Sequence, residues 1–264
     1  MTVTPLRTQR GPSLIFLGLL AVLGASGWAL WDGFGNAKTG VFLFVCSGWV
    51  VSLCLHEFGH AFTAYRSGDR SVAARGYLTL NPLKYTDWVL SILLPLVFVV
   101  AGGIGFPGGA VWVDRAAIRG GRHRHSLISA IGPMANLLFA LLMLVPVALF
   151  APEPVNGFVP AGSHLDFWAA LAFLGLLQLI ATLLNLLPMP GLDGFGIWEP
   201  WLPRHWVYQA QRLAPYGMLI LFAILWGTPA GRWLFDGAYH VMDWLGVPSG
   251  YAATGHDLFL FWRK

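Results

Sequence analysis

The sequence predicts an all-α polytopic membrane protein, with residues 1–264 forming a single domain. Apolar residues make up 56% of the 264-residue chain and charged residues only 11%, whereas soluble domains carry about 25% charged residues. Apolar runs long enough to cross a bilayer, about 17–25 residues, recur along the chain, and nearly all charges lie between them. The composition excludes a disordered chain, a coiled coil, a secreted disulfide scaffold and a soluble enzyme.

About five to six transmembrane helices are expected. Four apolar runs predict strong spans: Ser13–Trp31, Val41–Tyr65, Leu127–Phe150 and Phe167–Leu187. Leu213–Trp226 is a shorter, weaker candidate that contains Pro215. Trp233–Val247 carries three ionisable residues and is better interpreted as an interfacial helix. The first run could also be a cleaved signal peptide. Because it is longer than the apolar region of a typical signal peptide, we expect a retained membrane anchor.

The basic residues predict the orientation of the chain. They cluster before the first run, after the second and before the third: Arg7, Arg10; Arg66, Arg70, Arg75, Lys84; Arg115, Arg119, Arg122, Arg124. Residues 151–166 contain no Lys or Arg. By the positive-inside rule the N-terminus and the three basic segments are cytoplasmic and residues 151–166 lie outside. The net charge of +4 therefore indicates membrane orientation and not binding to nucleic acid.

Val89–Gly103 lies between two of these basic segments. One full crossing there would place Arg115–Arg124 on the wrong side, and the run is short and contains Pro95. We therefore expect a re-entrant or tilted element, which is tolerated where protein or a water-filled cavity lines it. The alternative is an ordinary short span whose flanking charges do not decide the topology.

Two short segments rich in β-forming residues flank this run. Gly76–Leu80 and Gly109–Val113 could pair as a small β-hairpin at the membrane face. Such an edge can bind an extended peptide as an additional strand. An ordinary interfacial loop is the alternative.

The pentapeptide His56-Glu57-Phe58-Gly59-His60 is the strongest chemical signal. On a helix, His56 and His60 share one face, so both imidazoles can bind one metal ion, and Glu57 can act as general base on a metal-bound water. An ionisable residue inside an apolar run costs roughly 2.5–3.5 kcal/mol and indicates a functional site by default. The alternative is a packed histidine pair beside a paired glutamate.

A hydrolytic zinc site has three protein ligands, and Asp193 is the best candidate for the third. It follows the fourth apolar run, after Pro188 and Pro190, which cannot continue a helix, so the chain must turn there. Taken alone, Asp193 could be an ordinary turn residue before a glycine. Two neutral imidazoles, Zn²⁺ and the carboxylates of Asp193 and Glu57 sum to zero charge, which avoids an unpaired charge in a low dielectric.

Three motifs occur in a characteristic order. HEFGH lies in the second run, GPMAN (residues 132–136) opens the third and NLLPMPGLDG (residues 185–194) follows the fourth. Together they resemble the site-2 protease family of intramembrane zinc metallopeptidases, and RGYLTLNPL (residues 75–83) is similar to its compact bacterial members. The match covers about residues 41–200, the expected catalytic core. The chain has no segment long or polar enough for a PDZ or CBS module.

The resemblance implies cleavage of a membrane protein within its transmembrane helix, near the cytoplasmic side of a bacterial cytoplasmic membrane. His56, His60 and Asp193 would hold one Zn²⁺ ion, and Glu57 would be the catalytic base. Asn136 would contact the substrate backbone or help to stabilise the oxyanion; the alternative is an interhelical hydrogen bond. The expected partners are this substrate and the lipid bilayer, without nucleic acid, and the sequence does not indicate an oligomeric state.

A non-peptidase membrane metal-binding or scaffold protein that kept the fold is the alternative function. Such a protein would need the metal ligands but not Glu57, so the presence of Glu57 favours the enzyme. Arg122-His123-Arg124-His125 resembles a metal or nucleic-acid site but is interpreted as a solvated cytoplasmic turn.

Overall fold

The computed structural model describes residues 11–85, 97, 111–153 and 163–262, and within these ranges it is helical and contains no β-strand. Four of the described helices are long and apolar enough to cross a membrane: α1 (Leu14–Asp32), α2 (Ala37–Ser67), α4 (Arg122–Phe150) and α5 (Leu165–Asn185). The single turn α3 (Ser71–Ala74) follows α2. The predicted all-α class is thus confirmed for the described residues, and each of the four strong apolar runs forms a helix of spanning length, as in an integral membrane protein.

The junction between α1 and α2 shows how short polar residues delimit the spans. Ser13 precedes α1, and its Oγ accepts the N–H of Phe16 at 3.2 Å. Gly33 ends the helix in the left-handed conformation, with φ of 69°. Asn36 then caps α2 by accepting the N–H of Thr39 at 3.2 Å. Both caps satisfy backbone groups that helix ends leave without a partner.

The C-terminal part is built from shorter helices: α6 (Asp193–Trp198), α7 (Arg204–Leu213), α8 (Gly217–Gly227), α9 (Ala230–Trp244) and α10 (Ser249–Phe259). The weaker span predicted at Leu213–Trp226 is broken near Pro215, with a bend of 76° between residues 204–216 and 219–227. The eleven residues of α8 reach only about 16 Å. The described residues therefore contain four spans, or five if the bent pair crosses as one.

Helix α5 is the central element of the bundle. Nearly all of its residues are buried, because α4, α10, α2, α9 and α1 all pack against it. Its Gln178 is fully buried, and Ser52 of α2 donates from Oγ to Gln178 Oε1 at 2.7 Å. This polar contact in an apolar interior joins α2, which carries the HEFGH motif, to α5, which Asp193 follows in the sequence.

The prediction of a β-strand at Gly76–Leu80 is wrong. Tyr77–Thr79 forms a 3-10 helix, flanked by Gly76 (φ 80°) and Leu80 (φ 54°) in the left-handed region, which no strand adopts. The backbone oxygen of Thr79 accepts the N–H of Ser13 instead of pairing with another strand. Most of the second segment lies outside the described residues, and its described part, residues 111–113, forms no strand. Val89–Gly103 also lies outside them, apart from Val97.

Candidate metal centre

The two histidines of the HEFGH motif lie on the face of α2 that is turned into the protein. Because α2 runs through the motif as one continuous helix, the four-residue spacing brings both side chains to the same face. His56 and His60 are both buried, and their Nε2 atoms are 3.0 Å apart. The sequence pattern therefore delivers two imidazole nitrogens to one point inside the bundle.

Asp193 reaches the same point from the end of α5. That helix stops at Asn185, and Pro188 and Pro190 prevent its continuation. Gly191, with φ of 97°, turns the chain, and α6 begins at Asp193 itself. The interruption that the prolines cause thus carries a carboxylate back to the histidines.

Helix α6 is held in this position from two sides. Gly194 lies so close to the carbonyl oxygens of Leu186 and Leu187 that a Cβ there would overlap both. On the other side, Ser126 Oγ of α4 donates to the carbonyl oxygen of Ile197 at 2.7 Å. α6 is therefore fixed between the end of α5 and the first turns of α4.

The three side chains converge closely. His56 Nε2 lies 3.1 Å from Asp193 Oδ2, and His60 Nε2 lies 3.3 Å from Asp193 Oδ1. One ligand atom from each residue lies within 4.8 Å of the others. Two imidazole nitrogens and one carboxylate oxygen are the donor set of a catalytic zinc site, which keeps its fourth position for water or substrate.

The far nitrogen of each imidazole has an acceptor on α4. His60 Nδ1 lies 2.6 Å from the carbonyl oxygen of Ile128, and His56 Nδ1 lies 3.3 Å from Oδ1 of Asn136. When Nδ1–H donates to these oxygens, each Nε2 directs its lone pair at the other and at the Asp193 carboxylate. Since such groups repel one another unless a cation lies between them, the residues present fit a divalent metal ion. Outer hydrogen bonds of this kind also orient metal ligands.

Gly132 of the GPMAN motif leaves the space that the centre needs. A Cβ at this position would overlap the Nε2 atoms of His56 and His60. Any other residue would therefore fill the point at which the ligand atoms converge. Gly132 belongs to the centre although it offers no ligand.

The charges are balanced by a divalent ion. Burial opposes ionisation of Asp193, but protonated imidazoles at His60 and His56 hold the pKa of its carboxyl well below the usual range. A divalent ion bound to the neutral imidazoles would supply the positive charge in place of those protons and would also keep Asp193 ionised. Two neutral imidazoles, Zn²⁺, Asp193 and an ionised Glu57 sum to zero, so no charge is left unpaired in the apolar interior.

Glu57 lies beside this set of ligands and is almost fully buried, with 1% of its surface exposed. Its Oε2 accepts a hydrogen bond from the backbone N–H of Val111 at 3.2 Å. Val111 belongs to the segment 111–119 that precedes α4. A buried carboxylate needs such donors, and this one comes from outside α2.

The structure brings together the three predicted ligands, His56, His60 and Asp193, and it places Glu57 next to them. Asn136 makes the interhelical hydrogen bond that was the alternative to a substrate contact, and the substrate contact itself stays a prediction. The residues that sequence reasoning missed act through the backbone or through the lack of a side chain: Ile128, Val111, Gly132 and Gly194. For the two glycines the only signal was their place in the motifs.

Fold and site together define a membrane-embedded zinc metalloprotease. The chain is 45% identical over 270 residues to the Mycolicibacterium smegmatis protein named "Putative zinc metalloprotease Rip2", with 99% of this chain and 98% of that protein covered. It is 43% identical to the protein of the same name from Mycobacterium tuberculosis, with the same coverage. It is also 31% identical over 189 residues to "Putative zinc metalloprotease YwhC" of Bacillus subtilis, with 70% of this chain and 80% of that protein covered.

The chain belongs to the site-2 protease family of zinc metalloproteases, as the three motifs indicated. No protein-family model matches it, and no solved structure matches it. The predicted zinc cofactor and metalloprotease class are thus supported both by named relatives and by the convergence of the ligand atoms.

Proposed function

We propose that this chain is an intramembrane zinc endopeptidase that cleaves a membrane-spanning segment of a membrane protein substrate. One observation carries the proposal: Glu57 and two of the three metal ligands are buried in α2, a helix long and apolar enough to span the bilayer. A protease for soluble peptides has no need to place its ligands within an apolar span, where ionisable groups are costly.

The chain's own residues handle the proton in the proposed reaction. Zinc held by His56, His60 and Asp193 would supply Lewis acidity toward a peptide carbonyl and lower the pKa of water. Glu57 accepts the proton of the attacking water and then delivers it to the leaving amine nitrogen. The hydrogen bond from Val111 N–H to Oε2 orients the carboxylate for both transfers.

The substrate must lose its helical structure at the point of cleavage. In a helix each carbonyl accepts an N–H from within the same segment, which shields it from attack. The unwound residues then need new hydrogen-bond partners, because lipid supplies none. A substrate with helix-destabilising residues near one end of its span suits this requirement.

We place the metal centre toward the cytoplasmic face of a bacterial cytoplasmic membrane. Asp193 follows the end of α5 that is opposite residues 151–166, which lack Lys and Arg. The basic residues cluster at the other ends of the spans, as the positive-inside rule requires for cytoplasmic segments. The named relatives are bacterial.

The alternative, a metal-binding or scaffold protein without peptidase activity, leaves the position of Glu57 unexplained. Such a protein would bury this carboxylate at a cost without using it. Glu57 lies beside the ligands but outside the predicted set of three, as a proton-transfer group would.

The replacement Glu57→Gln tests the proposal, because it keeps the shape of the side chain and removes the base. The protein should retain one zinc ion per chain and lose cleavage of a co-reconstituted single-span substrate by at least about 100-fold, the usual contribution of a general base. Glu153→Gln is the matched control, since Glu153 is exposed and distant in sequence from the site, and it should cleave at the wild-type rate. Wild-type cleavage by Glu57→Gln, or wild-type protein that binds no zinc, would contradict the proposal.

A further inference from the structure

A second buried carboxylate lies just beyond the end of α2. Asp69 is only 1% exposed. Its Oδ1 accepts the N–H of Ser71 at 2.8 Å, and its Oδ2 accepts the N–H of Asp114, also at 2.8 Å. The second bond joins residues 45 positions apart in the sequence. Since aspartate is rarely buried without such partners, these bonds mark a fixed connection between α2 and the segment 111–119.

Two further contacts fix the same segment. The N–H of Arg119 donates to the carbonyl oxygen of Ser67 at 2.7 Å. Gly68 has φ of 123°, and a Cβ there would lie only 2.6 Å from the carbonyl oxygen of Ala117. This position therefore requires glycine on two grounds, its backbone conformation and the close approach of the two chains. Ser67, Gly68 and Asp69 thus hold residues 114–119 against the end of α2.

The other end of this segment contacts the catalytic centre. The N–H of Val111 donates to Glu57 Oε2 at 3.2 Å. Val111 and Asp114 are three residues apart, which is about 10 Å of extended chain at most. Residues 111–113 form neither helix nor strand, so no hydrogen-bonded element of their own fixes their place. Val111 and Val113 pack against the hydrophobic core, and the guanidinium of Arg75 lies 4.5 Å from the centre of the Trp112 ring. Beyond Val111 itself, the nearest described backbone N–H of the segment that donates to another part of the chain is that of Asp114.

We propose that Asp69 is a positioning residue for Glu57. By fixing Asp114, it sets the N–H of Val111 on the carboxylate that moves the proton. The inference rests on the proposed role of Glu57 as base. Without the anchor, the carboxylate loses its orientation while the three metal ligands keep theirs, and small misplacements of a reacting group are costly in rate. The turnover number should therefore fall while zinc and substrate still bind.

The hydrogen bond can be removed from either side. Asp69→Ala removes the acceptor, and Asp114→Pro removes the donor N–H, which is feasible because the φ of Asp114 is −77°, within the range of proline. Asp114→Ala is the matched background, because it keeps this N–H and loses only the side-chain cap on the N–H of Ala116. Each variant is reconstituted as the full chain with the single-span substrate.

We expect kcat to fall about tenfold or more in Asp69→Ala relative to wild type, and in Asp114→Pro relative to Asp114→Ala. KM should change less than about twofold, and each protein should bind one zinc ion. The double variant Asp69→Ala/Asp114→Pro should be no slower than Asp69→Ala/Asp114→Ala, because the bond that proline removes is already absent in that background.

Wild-type kcat in zinc-loaded Asp69→Ala would overturn the proposal, as would a double variant Asp69→Ala/Asp114→Pro that is slower than Asp69→Ala/Asp114→Ala. A zinc-free Asp114→Pro protein would also overturn it, because the junction would then serve the metal site as a whole. If Asp69→Ala does not fold, the comparison of the two Asp114 variants decides. Glu57→Gln in the same assay separates the two proposals: normal cleavage by it refutes the proposed function, whereas its inactivity beside fully active Asp69 and Asp114 variants refutes only the positioning role.

Discussion

Asn136 is the side chain through which α4 contacts a metal ligand directly. Its Oδ1 lies 3.3 Å from His56 Nδ1, where an acceptor fixes both the tautomer and the ring orientation of the ligand. Loss of such an outer partner typically weakens metal binding about 10- to 100-fold. A residue that contacts only the substrate would leave metal affinity unchanged. The two roles considered for Asn136 therefore separate in a binding measurement.

Asn136→Leu should weaken zinc binding by about 10- to 100-fold, because leucine fills a similar volume but accepts no hydrogen bond from His56. The affinity can be measured on purified protein by competition with a chelator. Met134→Leu is the control, since Met134 is exposed on the same helix, and it should bind zinc as the wild type does. Unchanged zinc affinity together with lost cleavage would assign Asn136 to the substrate.

At the scale of single residues, the sequence identifies the side chains that form the site but not the backbone groups that contact them. His56, Glu57 and His60 follow from local spacing, and Asp193 follows from the prolines that stop α5 before it. The acceptor for His60 and the donor to Glu57 are the carbonyl of Ile128 and the N–H of Val111. Every residue carries these groups, so only the packing of distant segments shows which of them reaches the site.

Among the helices, the short α6 carries the third metal ligand, so the metal centre is sensitive to its exact placement. It contributes the carboxylate ligand and rests against the end of α5 at Gly194, where a side chain does not fit. Overpacking at such a contact typically costs about 1–3 kcal/mol, and the strain is relieved when the element moves. Movement of α6 takes Asp193 with it.

Gly194→Ala should therefore lose zinc, with metal content well below one ion per chain by elemental analysis of purified protein. Gly24→Ala provides the comparison, because a Cβ at Gly24 in α1 would meet nothing within 4 Å, and its metal content should stay at the wild-type level. Full zinc occupancy and normal cleavage in Gly194→Ala would show that α6 tolerates the displacement.

The prediction of helices and strands from the sequence succeeded where the length and apolarity of a segment determine its structure, and it failed where a tertiary contact determines it. The four strong runs became α1, α2, α4 and α5 because lipid leaves helix as the only hydrogen-bonded choice for a single apolar segment. At Gly76–Leu80 the β-forming residues suggested a strand, but a strand needs a partner. The backbone here instead turns at both ends and meets the start of α1. Such a tertiary contact leaves no trace in local propensity.

For the whole molecule, the distribution of charge predicts the orientation of the site in the membrane. Helix α4 has 29 residues, about 43 Å of helix, which is long enough for its two ends to lie on opposite sides of a bilayer. Four arginines lie just before or in its first turn, at positions 115–124, and residues 151–166 beyond its other end have no Lys or Arg. Since α6 packs against the first turns of α4 through Ser126, the side on which these arginines lie is also the side nearest the metal centre.

Single cysteines on either side of α4 test this orientation. Cys46 and Cys54, both in α2, are first replaced by alanine. Either Arg119→Cys or Glu153→Cys is then introduced, since both positions are exposed. In intact cells an impermeant thiol reagent should label Glu153→Cys and not Arg119→Cys, because the positive-inside rule keeps the basic end in the cytoplasm. Permeabilised cells supply the control, in which both should react. Labelling of Arg119→Cys alone would indicate the opposite orientation, with the metal centre near the outer face and the substrate cut at the opposite end of its span. Labelling of both from outside would show that α4 does not separate the two sides, and would contradict the topology.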